Sequence, residues 1–276
     1  MTNAALPGRP REAVTAGRIT ERAVCVLAPN PGHMTLDGTN TWIVSEPGST
    51  EAVVIDPGPH DEEHLRNVVA TAESLGLSIC LTLLSHGHGD HSDGLARFAE
   101  LTGAPVRAHD PAHRIGEAGG LSAGDVVTVG GLALDVVPTP GHTQDSVSFV
   151  LPADGVLFSG DTVLGRGTSI VAHPDGRLGD YLDSLRALRE LVVGEGLTTV
   201  LPGHGPVLDD ALGVIDYYLV HRANRLAQVE TAVESGHRTA PEVVAHVYAD
   251  VDPALWPAAE LSVRAQLDYL TEHGLI

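Results

Sequence analysis

The sequence predicts an α/β fold in which β-sheets are covered by helices on their outer faces, with a small helical appendage after them. Three observations predict it. Apolar, β-branched runs typical of strands recur up to Gly205. Two amphipathic helical segments lie between these runs, and after Gly205 only helical patterns follow. Because helices alternate with strands only in part, a layered α/β sandwich is favoured.

The strand predictions rest on short apolar runs bounded by glycine, proline or polar residues. These runs are NTWIVSE, EAVVIDPG, SICLTLLSH, DVVTVGG, LALDVVPTPGH, DSVSFVL and GVLFSGD. The first predicted helix, DEEHLRNVVATAESLG, has an acidic first turn followed by apolar residues at helical spacing. The second, GDYLDSLRALRELV, repeats leucine at the same spacing. Both helices are therefore expected to pack one apolar face on a sheet.

The C-terminal part contains three predicted helices. The segment from Val207 to Gly236 has the pattern of one long helix. A short helix is predicted to start at Thr239 with Pro241 in its first turn, and a third ends at Gly274. We expect residues 1–20 to form an N-terminal tail, residues 21–215 the main α/β domain and residues 216–276 the C-terminal helical appendage.

Charge and composition limit the classes of partner. The formal net charge is −20, and every basic residue is an arginine. Such a charge disfavours polyanions at long range. The sequence has no apolar run long enough for a membrane span and no apolar block of a secretory signal near its start, so we expect a cytoplasmic protein without a membrane partner. Cys25 and Cys80, in apolar strand-like segments, are expected to be buried thiols, and nothing in the sequence indicates an oligomeric state.

A dense group of potential metal ligands follows one predicted strand. The segment SHGHGDHSDG at residues 85–94 contains His86, His88, Asp90 and His91 within six positions. Its glycines permit a tight loop, and four nitrogen or oxygen donors in such a loop suit zinc. The alternative is a solvated histidine-rich loop, which the other potential ligands of the chain disfavour.

Three further potential ligands stand at strand ends beside glycine. They are His142 in PTPGHT, Asp161 in FSGDT and His204 in LPGHG. Each of them alone is a weak signal. Together with the first segment they give the order H-x-H-x-D-H, H, D, H, which is highly specific.

This series resembles the signature of the metallo-beta-lactamase superfamily over roughly residues 30–215. The resemblance implies a four-layer αβ/βα sandwich and two divalent metal ions, zinc by preference, with iron and manganese as alternatives. It implies that Asp161 bridges both ions and that Asp56 supports the ligand loop, although Asp56 is equally well read as a simple turn residue. The other implied ligands are His86, His88 and His142 for the first ion, and Asp90, His91 and His204 for the second.

The expected chemistry is hydrolysis by a hydroxide that bridges the two metals. A water shared by two cations loses much of its proton affinity, so hydroxide exists near neutral pH. Asp90 is the candidate to orient or accept the attacking proton, and His204 is expected to contribute through its position. A non-catalytic metal-binding scaffold is the alternative, but none of the seven expected ligands is missing.

The substrate has two candidate classes. Several segments, among them NPGHMTLDGTNTWIV and the C-terminal helices, resemble the beta-lactamase-like endoribonuclease family over almost the whole chain. That resemblance implies cleavage of single-stranded RNA, which is the predicted reaction, and an appendage similar to a truncated winged helix. The alternative is a small thioester, ester or beta-lactam. A main role in beta-lactam hydrolysis is disfavoured because zinc beta-lactamases generally lack an aspartate where Asp161 stands.

Charge also argues against RNA. Residues 237–276 carry two arginines and six acidic residues, which makes a poor surface for phosphates. Substrate contacts are instead expected from Arg166, Thr168 and Ser169, which follow Asp161. Weaker candidates for the substrate site, each with a structural alternative, are Tyr181, His173, Arg222, His33 and Asn40.

Overall fold

The structure, a computed structural model, describes residues 17–276 and contains two mixed β-sheets. The strands of the first sheet are β1 (Gly17–Arg18), β2 (Ala23–Leu27), β3 (Asn40–Val44), β4 (Glu51–Ile55), β5 (Ser78–Leu83) and β6 (Val106–Arg107). They pair in that order, antiparallel up to β4 and parallel from β4 to β6. The carboxyl ends of β4 and β5 therefore meet at one edge, where Asp56 and the histidine-rich segment follow.

The second sheet has the order β11-β10-β9-β8-β7. Its strands are β7 (Val126–Val129), β8 (Leu132–Pro138), β9 (Val147–Leu151), β10 (Val156–Gly160) and β11 (Thr199–Pro202). Only the pairing of β10 with β11 is parallel. The loops after β8, β10 and β11 carry His142, Asp161 and His204.

The main core lies between the two sheets. Trp42 of the first sheet packs edge-on against Phe158 of the second, with ring centroids 5.7 Å apart. Helices α1 (Glu62–Ser74) and α3 (Leu95–Thr102) cover the outer face of the first sheet, and α4 (Leu178–Glu195) and α5 (Ala211–Glu234) cover the second. This arrangement confirms the predicted four-layer sandwich.

Helix α5 belongs to both parts of the molecule. Its first half buries Val214 and Tyr218 in the core of the second sheet, whereas its second half buries Val229 and Ala232 among the C-terminal helices. Those helices are α6 (Ala240–Val247) and α7 (Trp256–Glu272). The predicted boundary between residues 215 and 216 thus falls inside a continuous helix, whose two halves pack in different cores.

Local signals explain where several helices begin. Thr239 caps α6 through a reciprocal capping box with Glu242, as the predicted helix start requires. Helix α7 begins at Trp256, five residues before the predicted segment LSVRAQLDYLTEHG, because Pro257 lies in its first turn. Helix α3 was not predicted, since its eight residues are too short to show a clear period.

Two expectations about particular segments differ from the structure. Most of the expected tail, residues 1–16, lies outside the described residues, but Gly17 and Arg18 pair with β2 and Ile19 is buried in the core. The expectation for Cys80 was wrong: Cys25 is buried, whereas Cys80 is exposed because it alternates outward on β5. In residues 17–276, no helix combines the length and the apolar character needed to cross a membrane.

Candidate metal centre

The histidine-rich segment directly follows strand β5 and turns into the short helix α2 (Gly89–Ser92). His86 and His91 are buried, Asp90 is half-buried and His88 is exposed. A strand end followed by one helical turn lets these four side chains point to a common region. The structure brings all seven predicted ligands together there.

Three histidines form the first group. The Nδ1 atom of His88 lies 3.1 Å from Nε2 of His86 and 3.0 Å from Nε2 of His142. The three ligand atoms all lie within 4.8 Å of one another. This is the spacing of donors that surround one small cation.

Asp90, His91 and His204 form the second group. The Nε2 atoms of His91 and His204 are 3.2 Å apart, and Nε2 of His204 is 3.0 Å from Oδ2 of Asp90. All three side chains offer a ligand atom within the same 4.8 Å limit. Histidine and carboxylate donors of this kind suit zinc, and also iron or manganese.

Asp161 lies between the two groups. Its Oδ1 atom is 3.5 Å from Nε2 of His91, while its Oδ2 atom is 3.3 Å from Nε2 of His204 and 3.8 Å from Nε2 of His142. One carboxylate therefore faces a histidine of the first group and both histidines of the second, as a bridging ligand must.

The other ring nitrogen of each key histidine is held by a second partner. Nδ1 of His142 donates to the carbonyl of Ile170 at 2.7 Å, and Nδ1 of His204 donates to the carbonyl of Gly38 at 3.1 Å. Because a carbonyl only accepts, these bonds place a proton on Nδ1 and turn Nε2 towards the other ligands of the cluster. Both Nε2 atoms are thus prepared as ligands.

Asp56 holds His91 and the start of the ligand loop. Its Oδ2 atom lies 2.9 Å from Nδ1 of His91, and its carboxylate also accepts from the backbone and the hydroxyl of Ser85 at 2.7 and 2.6 Å. Asp56 has a φ of 53°, an unusual conformation for a residue other than glycine. The left-handed backbone and the fully used carboxylate favour the supporting role over a simple turn residue.

The donor set fits divalent cations on two observations. Nε2 of His204 lies only 3.2 Å from Nε2 of His91, so the two ring nitrogens repel each other unless a cation or a proton lies between them. Oδ1 of Asp161 is buried and has no hydrogen-bond partner in the described part of the chain. A buried carboxylate oxygen without a partner is costly, and a metal ion would satisfy it.

The pKa values of the ligand histidines are shifted in opposite directions. Burial lowers the pKa of His142, and it lowers the pKa of His86 well below its ordinary value. Burial also opposes the charging of His204, but the adjacent Asp161 carboxylate outweighs it and raises the pKa to about 9. A metal ion that binds His204 at neutral pH must therefore displace a proton.

Gly203 allows the second sheet to approach the cluster. A Cβ atom at this position would lie 2.4 Å from Oδ1 of Asp161 and 2.9 Å from Cε1 of His91. Any side chain would therefore displace two of the ligands. The glycine in LPGHG is explained by this close approach.

The cluster opens on a cavity of about 290 Å³. His142 and Asp161 form part of its lining, and so do the predicted substrate residues Arg166, Thr168 and Ser169. The arrangement favours their prediction as substrate contacts. Arg166 is exposed, however, and forms a paired contact with Asp37, with both N to O distances at 3.1 Å.

Of the weaker candidates for the substrate site, some line the cavity and others lie outside it. His33 and Arg222 line the cavity. Asn40 is buried and donates to the carbonyls of Pro202 and Gly205, so it supports the loop of His204. Tyr181 is buried and donates to the carbonyl of Thr162 at 2.6 Å. His173 contacts Asp268 of α7 at 2.9 Å, outside the lining of this cavity.

Sequence reasoning missed several residues that the fold brings to the site. His221 and Arg225 of α5 and Tyr248 after α6 line the cavity. Their only sequence signal was the helical spacing of residues 221, 222 and 225, which resembles any exposed helix face. The side chains of Asp110, His113 and Asp145 form another group of ligand atoms within 4.8 Å, from two loops that are distant in the sequence.

Comparison with known proteins identifies the family. The sequence profile of the metallo-beta-lactamase superfamily matches residues 34–204. The chain belongs to the metallo-beta-lactamase superfamily. Membership confirms the predicted class of enzyme, a hydrolase with this fold. The profile of the beta-lactamase associated winged helix domain matches residues 239–276, which agrees with the predicted appendage.

Two relatives cover most of the chain. A Beta-lactamase-like protein 2 homolog of Caenorhabditis elegans is 30% identical over 267 residues, which span 94% of this chain and 87% of the relative. The Lactamase-like protein aptB of Emericella nidulans is 32% identical over 84% of this chain and 75% of its own length. These matches include the metal cluster and reach into the appendage.

Solved structures agree on the fold. A metallo-beta-lactamase family protein from Thermus thermophilus is similar with a TM-score of 0.75 and 23% identity, over 91% of this chain and 94% of that one. A Beta-lactamase domain protein from Burkholderia ambifaria has a TM-score of 0.78 and 22% identity, over 93% and 88% of the two chains. The fold is thus shared over most of the chain.

Proposed function

We propose that the chain is a two-metal hydrolase of a small ester, thioester or lactam. The observation that carries this proposal is the cavity of about 290 Å³ beside the ligand cluster. Apolar side chains such as Leu164, Ile170 and Leu255 form much of its lining. Concave, largely apolar cavities with a few polar groups are typical of sites for small molecules.

The proposed ligands divide into two groups around Asp161. His86, His88 and His142 would hold one ion, Asp90, His91 and His204 the other, and Asp161 both. When bound, the ions would activate a water and polarise the scissile carbonyl. The fit of the donor set supports two divalent ions, and the mixture of nitrogen and oxygen donors favours zinc.

Asp90 is the proposed proton acceptor. Burial raises the pKa of Asp90, but the hydrogen bond to His204 and the charges of His91 and His204 together outweigh burial, so that the pKa lies below its ordinary value. The carboxylate is therefore ionised at neutral pH, and its side chain is still 28% exposed. It is placed to orient the attacking water, while His204 acts by position.

Cleavage of single-stranded RNA is the second candidate. Three arginines line the cavity, Arg166, Arg222 and Arg225, and guanidinium groups bind phosphates well. The net charge of −20 argues against a long polyanion, because a protein that binds many phosphates needs a basic surface. A small substrate needs only the local positive charge of the cavity.

The proposal is tested by metal analysis together with an assay of three substrates. These are a fluorescent single-stranded RNA, S-lactoylglutathione and a chromogenic cephalosporin, each with the wild-type chain and with Asp161→Ala. We expect two metal ions per chain and turnover of the thioester or lactam that is lost in the variant. Cleavage of RNA alone, lost in the variant, would contradict the small-molecule proposal and support the ribonuclease.

A further inference from the structure

Helix α5 contributes three side chains to the cavity lining: His221, Arg222 and Arg225. None of them is a proposed metal ligand, and the chemistry proposed above gives them no role. Two of them carry a full positive charge. The groups that surround these charges decide what this end of the cavity can bind.

Arg222 is buried without a counter-charge. Only 7% of the residue is exposed, and its Nε atom is buried with no hydrogen-bond partner among residues 17–276. The guanidinium donates to the carbonyl of Ser169 and lies over the ring of Tyr181, 4.9 Å from the ring centroid. Among residues 17–276, no carboxylate lies within ion-pair distance of it. A buried charge in this state is unfavourable until an anion joins it.

Arg225 lies one turn further along the same face. Its guanidinium stacks on Tyr248 at 4.3 Å from the ring centroid and donates to Gln228 and to the carbonyl of Val247. It too has no carboxylate partner in the described part of the chain. The aromatic ring and the carbonyl hold the group in one orientation and leave its charge uncompensated.

A buried arginine without a carboxylate partner is unusual in this molecule. Within residues 17–276, five arginines are partly or fully buried: Arg22, Arg97, Arg107, Arg222 and Arg225. The first three form ion pairs with carboxylates at 2.6 to 3.0 Å. Of these five arginines, the two without a carboxylate partner thus lie together in the cavity, in a chain with 36 acidic residues.

His221 reports the same positive environment. Burial and then the charges of Arg222 and Arg225 lower the pKa of His221 to about 4. The imidazole is therefore neutral at pH 7, and its Nδ1 atom is buried without a hydrogen-bond partner in the part of the chain that the structure describes. It adds a neutral polar group beside the two charges.

We propose that Arg222 and Arg225 form a binding subsite for an oxyanion, which belongs to a substrate whose scissile bond lies at the metal cluster. The inference rests on the function proposed above. The apolar lining by Leu164, Ile170 and Leu255 would contact the carbon chain between the two ends. The substrate class is therefore a small acid derivative with a second, anionic end, either a carboxylate or a phosphate.

Direct binding tests the subsite without any turnover. The metal-loaded wild-type chain is titrated calorimetrically with glutarate and, separately, with inorganic phosphate, and the same is done for Arg225→Gln. We expect the variant to bind the preferred anion about tenfold more weakly, as loss of a charge-assisted hydrogen bond requires. Tighter wild-type binding of glutarate indicates a carboxylate substrate, and tighter binding of phosphate a phosphate ester.

Two further variants complete the design. Arg264→Gln makes the same change on the exposed face of α7, outside the cavity, and should bind like the wild type. Arg222→Gln should also lose affinity, but it removes the contact with Ser169, so Arg225→Gln decides the outcome. Equal affinities in the wild type and Arg225→Gln would overturn the proposal, since anions would then bind at the metals alone.

A pair of esters separates this proposal from the proposed function. The 4-nitrophenyl monoester of glutaric acid is compared with 4-nitrophenyl valerate, which has a similar length and no charge. We expect Arg225→Gln to raise KM about tenfold for the anionic ester only, with little change in kcat. An equal effect on both esters would contradict the subsite. Failure to hydrolyse either ester with bound metal would count against the hydrolase proposal, while the binding data still decide the subsite.

Discussion

The two charged regions of the cavity are built in different ways. The ligand cluster is assembled from loops at the ends of separate strands. The Nδ1 atoms of His91, His142 and His204 are each held by a hydrogen bond to a carboxylate or a backbone carbonyl. The arginine pair of α5 comes from one helix, and no carboxylate in residues 17–276 balances it. The difference indicates that the first region is prepared for cations and the second for an anion.

The largest effect is expected from Asp161→Ala, which removes the carboxylate between the two ligand groups. We expect the variant to keep about one ion and to lose at least about a hundredfold in hydrolytic rate, because the attacking water is no longer held by two ions. Metal analysis and the initial rate check this. Asp183→Ala, an exposed change on α4, is the control. Two ions and full activity in Asp161→Ala would show that Asp161 does not bridge.

A smaller effect on the same region is expected from Asp56→Asn. The amide keeps an acceptor for the backbone of Ser85 but loses the negative charge beside Nδ1 of His91. Zinc affinity should fall about 10- to 100-fold, the usual cost of losing such a supporting carboxylate. Competition with a chelator measures it. An unchanged affinity for zinc would show that Asp56 serves only the turn after β4 and does not support the metal ligands.

Arg166→Ala tests whether an exposed arginine of the cavity also contributes to the binding of an anionic substrate. Arg166 is exposed and already paired with Asp37, so we expect only about a two- to threefold rise in KM for an anionic substrate, with unchanged metal content. Asp37→Ala breaks the same ion pair but keeps the guanidinium. If both variants behave alike, the pair acts through the loop; a tenfold loss in Arg166→Ala alone would make Arg166 a main anion contact.

The smallest effect concerns the pH dependence of stability. The pKa of His221 is about 4 in the folded chain and 6.5 in the unfolded chain. Between these values the unfolded chain binds more protons, so this stabilisation is complete above pH 6.5 and is lost as the pH falls towards 4. His221→Gln should remove about 1 kcal/mol of this dependence after solvent screening. Urea unfolding at pH 7.5 and 4.5 measures the free energy of unfolding of both proteins. If this free energy changes equally between the two pH values in the wild type and in His221→Gln, the positive environment is contradicted.

The ligand cluster could be predicted because its ligands lie in a few short, recognisable segments of the sequence. Four ligands lie within residues 86–91, and each of the others stands beside glycine at a strand end. The strand runs likewise predicted β3, β4 and β5 within a few residues. The cavity could not be predicted, because it depends on how α5 and the appendage pack against the loop of Ser169.

The burial of individual side chains also could not be predicted from the sequence. Arg222 has the sequence context of a surface residue on a long helix, and only packing against Tyr181 buries its guanidinium. Cys80 shows the reverse, since an apolar segment placed it on the outer side of β5. In both cases a side chain's environment depends on contacts between residues distant in the sequence.

The stoichiometry of zinc binding tests the central claim most directly. The chain is freed of metal with a chelator and titrated calorimetrically with Zn²⁺ at pH 7.5. The account predicts two tight sites per chain and the release of protons on binding, since His204 must give up its proton. A single site, or no tight site, would contradict the division of the seven ligands into two groups.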